Sequence, residues 1–162
     1  MQVTGLAGPL VASGLTAHVD GAAAVVVMSD RKARELGITP IARIAATGVS
    51  ALSPEIMGLG PVEATRQAMR RVGMTISDID LVEINEAFAA QVIPAYRELS
   101  IDIDRLNVHG GAIALGHPFG MTGARITATL LNGLVTRDET VGLETMCIGG
   151  GQGMAMIVER LN

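Results

Sequence analysis

The chain has 162 residues, 49% of them apolar and 17% charged, a balance that supports one core and excludes intrinsic disorder. A net charge of -4 and 2% aromatic residues argue against nucleic-acid binding, which needs a clustered basic surface or stacking platforms. A single cysteine, Cys147, allows neither an internal disulfide nor a cysteine-rich zinc site, so no metal is expected. The longest apolar run, Ala22 to Met28, is far short of the roughly 20 residues of a spanning helix. No basic region precedes a leucine-rich core at the N-terminus, as a secretory signal would require. The expectation is a soluble, cytoplasmic protein.

In chain order, Ala22–Ser29 follows Asp20-Gly21 as a short β-branched run and predicts a buried strand. Arg31–Leu36 predicts a helical turn ended by Gly37 and Pro40, and Ile41–Val49 a second strand. Pro61 opens a helix to about Val72, with proline in its first turn and Gly73 after its last. Leu81–Ile84 predicts a third strand that hands over at Asn85 to a helix beginning near Glu86. Pro94 lies inside that helix, removes a backbone donor and is expected to kink it. Thr122 to about Val135 is the next helix, and Val141–Cys147 and Met154–Glu159 are closing strands. Only a glycine turn separates those two, so they are expected to be antiparallel neighbours. The sum is an α/β layered fold.

The 20 glycines cluster where backbone must turn tightly or approach something closely. Three stretches near them sit at strand ends or loops, where α/β proteins place working groups: Asn85-Glu86-Ala87-Phe88, Gly116-His117-Pro118 and Cys147-Ile148-Gly149-Gly150-Gly151. His117, between glycine and proline, presents its ring in a fixed direction. It is either a base for a nucleophile at neutral pH or an ordinary loop histidine. Cys147 is either a small core hydrophobe or a thiol placed beside the unshielded N–H groups of the glycines that follow, donors suited to an oxyanion. Asn85 either holds a water or oxyanion or caps the next helix. His18 and His109 have no carboxylate or cysteine at ligand spacing and read as polar loop residues. A strand, not a helix, follows Gly149-Gly150-Gly151-Gln152-Gly153, which excludes a phosphate-binding loop.

In this order and spacing the stretches resemble the C-terminal half of the thiolases, the acyl-CoA acetyltransferases. The resemblance is carried by Asp20-Gly21-Ala22-Ala23-Ala24, by Ile56-Met57-Gly58 with Gly60-Pro61, and by Leu81 through Gln91. It continues through Asn107 to Pro118 and ends with Cys147 to Gly151. The resemblance implies a thiolase-like layered fold with a mixed sheet covered by helices. It also implies a division into residues 1–39, a remnant of the N-terminal domain holding its last strand and helix, and 40–162, the C-terminal domain. By the same resemblance His117 activates the acyl-accepting cysteine, Asn85 holds a water in the oxyanion site, and Cys147 moves the proton at the carbon alpha to the thioester. Gly149 donates its N–H to the acyl-enzyme carbonyl, and Met57 and Phe88 line the acyl pocket. Coenzyme A thioesters are substrates, and no cofactor is implied.

The sequence departs from the family in several places. Thiolases carry the acyl group on a cysteine in their N-terminal half, and no cysteine precedes Cys147 here. The serine that contacts coenzyme A is either Ser13, with three residues inserted after it, or is deleted with Thr16-Ala17 as the anchor. His109 is a polar residue beside the glycines, and Phe119 stands where the family often has an aliphatic residue. The expectation is the C-terminal half of an acyltransferase, inactive alone, that needs an N-terminal half. The alternative is a non-catalytic binding or assembly module, or a decayed fragment that keeps the fold. The unpaired strand predicts self-association.

Overall fold

The computed structural model describes residues 18–161. Its elements are α1 (Asp30–Leu36), β1 (Ala42–Ala51), a 3₁₀ stretch (Pro54–Leu59), α2 (Gly60–Val72), β2 (Leu81–Ile84), α3 (Ala89–Glu98), α4 (Ala112–Leu115), α5 (Thr122–Thr136), β3 (Val141–Ile148) and β4 (Gln152–Arg160). The four strands form one sheet in the order β1-β4-β3-β2. β4 runs antiparallel to both β1 and β3, whereas β2 and β3 are parallel. The mixed α/β layering and the antiparallel closing pair match the sequence expectation.

Side-chain alternation gives the sheet two differently covered faces. α2 and α3 pack on one face, where Val62, Ala64 and Ala68 of α2 and Val92, Ala95 and Leu99 of α3 join Ile84, Leu143 and Ile157 in the main core. α2 lies close because Gly48 presents no side chain to it: a Cβ there would strike the backbone of Ala64. α5 covers the other face over β2 and β3, and Leu130 and Leu134 pack there with Leu81 and Val158. That helix stops short of β1, leaving the cross-strand partners Val49 and Met154 exposed.

The N-terminal run departs from expectation. Ala22–Ser29 is not a buried strand: it has no regular structure, and Val26 and Val27 are 85% and 71% exposed. A strand requires neighbours for its backbone groups, and among the described residues none pairs with this run. α1 behind it is defined locally, capped by the Ser29 hydroxyl accepting from Lys32 N–H and ended by left-handed Gly37. The helix expected from Glu86 begins at Ala89 instead and runs unbroken through Pro94. Glu86 is held elsewhere: its carboxylate accepts from the Asn107 amide and from Ile113 N–H.

Candidate functional site

The carboxyl ends of β2 and β3 lie side by side, tied where Asn85 N–H donates to the Thr145 carbonyl. Three groups of sequence-predicted residues meet around this rim. On the α5 face, Asn85 is 1% exposed and does not cap α3, whose N-cap is Phe88. Its amide nitrogen stands 3.3 Å from His117 Nε2, and its oxygen accepts from Arg125 Nη2 at 3.3 Å. His117 Nδ1 is 3.1 Å from the Thr122 hydroxyl at the start of α5. The imidazole is thus held at both nitrogens, in a loop whose backbone is bent by Gly116 at φ 99°.

His18 and Phe119 extend this group outward. The Phe119 ring meets His117 edge-on at 4.5 Å and His18 edge-on at 4.6 Å. Val19 and Gly21 pack on Gly116, Pro118 and Met121, so the start of the described chain lies across the histidine loop. Burial, with the nearby Arg125 guanidinium and His18, holds His117 below the ordinary histidine value of 6.5. A ring so placed is neutral at pH 7 and keeps a lone pair able to accept a proton.

Cys147 belongs to the other face. Its register partner Gly153 packs against Gly60 at the start of α2, whereas the neighbouring Met146 reaches Gly123 of α5. The thiol is half-buried, and that burial raises its pKa above the usual 9, so it is protonated at neutral pH. The 3₁₀ stretch bearing half-buried Met57 packs on β3 and β4, and α3, behind exposed Phe88, packs on that stretch. No hydrogen bond joins Cys147 to Asn85 or His117 among the described residues; the two groups flank the rim from opposite faces.

The glycine turn after Cys147 divides into structural and open positions. Gly150 and Gly151 have φ of 91° and 92°, and a Cβ on Gly151 would strike the Leu52 carbonyl. Leu52 N–H in turn donates to the Gly151 carbonyl at 2.8 Å. Gly149 is exposed, has an ordinary φ and faces open space, so nothing within the described chain demands a glycine there. Ser13 lies outside the described residues.

Sequence reasoning missed the polar support beneath the rim. Glu83 and Glu144 are register partners on β2 and β3, 2% and 6% exposed, and both face α5. Arg125 approaches Glu83 at 3.9 Å, and the Thr127 hydroxyl donates to Glu144 at 2.9 Å. Burial pushes Glu83 up to about 8 and Glu144 up to about 7, with Arg125 opposing both. Asn107, left-handed at φ 46°, brackets the end of β2: its side chain accepts from Ile84 N–H and donates to Ile84 C=O. The available signal was a glutamate inside each of the apolar runs Leu81-Val82-Glu83-Ile84 and Gly142-Leu143-Glu144-Thr145.

Two hollows of about 280 and 250 Å³, between α2 and α3 and beside Ile76–Ile79, are lined by none of these groups. No cluster of histidine, cysteine, aspartate or glutamate suited to a metal occurs among the described residues, and no helix there is long and apolar enough to cross a membrane.

Comparison with known proteins identifies the family and the fold. A family model for the thiolase C-terminal domain matches residues 38–160. The chain is 54% identical over 157 residues to a 3-ketoacyl-CoA thiolase of Marinomonas sp. (strain MWYL1), covering 95% of this chain and 40% of that protein. It is 51% identical over 156 residues to the acetyl-CoA acetyltransferase of Escherichia coli (strain K12), covering 96% and 40%. The crystal structure of human mitochondrial 3-ketoacyl-CoA thiolase superposes with a TM-score of 0.81 at 46% identity, over 83% of this chain and 34% of that one. The same enzyme solved in complex with CoA aligns equally well. The chain therefore spans about two fifths of the length of these curated relatives. With more than half its residues inside the family's C-terminal domain and close relatives along nearly all of it, the chain belongs to the thiolase family.

Proposed function

We propose that this chain supplies the C-terminal half of a thiolase active site, catalysing acyl-CoA + acetyl-CoA ⇌ 3-ketoacyl-CoA + CoA once a nucleophilic cysteine is provided from outside the sequence. The observation that supports this reading is a neutral imidazole held at both nitrogens beside Asn85, at the same strand ends as a protonated thiol. In the cleavage direction His117 takes the proton of the incoming cysteine, whose sulfur attacks the 3-keto carbon. The bond between carbons 2 and 3 breaks, and its electron pair leaves as the enolate of acetyl-CoA. Cys147 protonates that enolate, a role for which a thiol kept neutral by burial is suited. The thiol of free CoA then gives its proton to the Cys147 thiolate and its sulfur attacks the acyl-enzyme carbonyl, and the cysteine leaves and recovers its proton from His117.

The remaining assignments follow the same reading. Asn85 holds a water for the thioester oxygen, and Gly149, open to solvent, offers its N–H to the acyl-enzyme carbonyl. Met57 and Phe88 line the acyl pocket, and Ser13 contacts coenzyme A. Residues 1–39 belong to the N-terminal domain's edge and 40–162 form the C-terminal domain. Because Asn85 and Cys147 flank the rim from two faces, the substrate lies across the ends of β2 and β3. The second reading is a non-catalytic module with the same fold.

Acetoacetyl-CoA cleavage by the purified chain, alone and mixed with the N-terminal half of a relative, tests the proposal. The expected result is no turnover alone and turnover on mixing that is lost in His117→Ala and Cys147→Ala. Turnover by the chain alone, abolished by Cys147→Ala, means the nucleophile is misassigned. A mixture that forms a complex yet turns nothing over favours the module.

A further inference from the structure

The Asn85 amide and the His117 ring can each be placed in more than one way, and a single neighbour decides between them. An arginine carries donors only. Arg125 Nη2, 3.3 Å from the Asn85 side chain, therefore faces its oxygen, which turns the amide nitrogen toward His117 Nε2. An N–H aimed at Nε2 requires that nitrogen to be an acceptor. The ring proton then resides on Nδ1, where the Thr122 oxygen accepts it at 3.1 Å. The Thr122 hydroxyl has its own acceptor in the Pro118 carbonyl, 3.4 Å away, so it need not donate to the ring.

We propose that Arg125 is a positioning residue which, through Asn85, locks His117 in the Nδ1–H tautomer with the Nε2 lone pair facing the rim. The importance of this rests on the thiolase reading above, since a base that must accept a proton at Nε2 is useless in the other tautomer. The placement itself does not depend on any activity. Glu83 and Glu144 make the device tolerable: the largely covered guanidinium lies beside two carboxyl groups whose ionised forms it favours, while Asn85 takes one of its hydrogens. The charged and titratable groups acting on the ring are Arg125 from α5 and His18 from the N-terminal segment. Glu83, Glu86 and Glu144 act on Arg125 in turn.

Nitrogen-15 NMR of the full chain reads the tautomer directly, because protonated and unprotonated ring nitrogens resonate far apart. At pH 8 the wild type is expected to show His117 mainly as the Nδ1–H form, with a nuclear Overhauser contact between the Asn85 amide protons and the ring. Arg125→Met is expected to shift the majority to the Nε2–H form and erase that contact. The double variant Arg125→Met, Glu83→Gln removes the carboxylate left without its partner and gives the same result if the single variant fails to fold. Arg125→Lys, which keeps a donor-only head, restores part of the Nδ1–H population. A wild-type ring in the Nε2–H form overturns the proposal, as does an unchanged tautomer in a folded Arg125→Met or double variant. Neither result bears on turnover, so failure here and failure of the thiolase reading are told apart.

Discussion

Two β-branched runs of the chain meet opposite fates. Leu81–Ile84 is buried at every position, paired with β3, bracketed by Asn107 and covered by helices on both faces. Ala22–Ser29 is equally apolar, yet it lies open and unpaired. Both are dominated by apolar side chains, and what separates them is their neighbours. Burial belongs to the pairing of surfaces, and a run made for a sheet stays exposed when nothing in the described chain completes that sheet. The same contrast separates the rim, where polar groups hold one another across four elements, from the segment that reaches it from the N-terminus.

The strongest way to break this comparison is to delete apolar volume from the helix packed over β2 and from the open run. Leu134→Ala, at a site with no exposure, is expected to cost about 2–5 kcal/mol in urea unfolding, while Val26→Ala stays within about 0.5 kcal/mol. Equal costs would show that the segment is packed in solution.

A smaller effect comes from pH. Glu83 and Glu144 titrate above the ordinary carboxylate range when folded, so the folded state binds more protons than the unfolded one from about pH 4.5 to 8. Stability is therefore expected to fall as pH rises through this window, and Glu83→Gln to flatten the decline. Thermal unfolding across pH 5 to 9 checks it; a wild-type profile rising with pH would contradict the burial argument. The smallest effect concerns association. Val26→Asp with Val27→Asp is expected to leave folding stability within about 0.5 kcal/mol but to move any self-associated fraction toward monomer in size-exclusion chromatography. An unchanged profile from an associated wild type would place the contact elsewhere.

These regions also mark what was legible in the sequence. α2 was readable because Pro61 and Gly73 punctuate it, and the β3–β4 pair because four glycines leave no room for a crossover. Asn85 stood out by its place at the end of an apolar strand, and His117 by its glycine and proline neighbours. Arg125, Glu83 and Thr122 did not, since their roles depend on a parallel pairing between strands about sixty residues apart and on a helix laid over it. Asn85 reads locally as a cap, but tertiary partners claimed its side chain first. Ala22–Ser29 misled for the converse reason: its β-branched apolar run suits a strand, but no partner is present among the described residues.

The sheet's two borders differ in a way that limits how copies of this chain can join. On the β2 side, Leu106 bridges to Val82, Asn107 N–H donates to the Val82 carbonyl, and the Asn107 side chain occupies both polar groups of Ile84. That border is sealed. On the β1 side no described strand lies alongside, and the Thr47 carbonyl accepts from the Arg71 guanidinium. Among the described strands, addition of a strand from another copy is therefore confined to the β1 border.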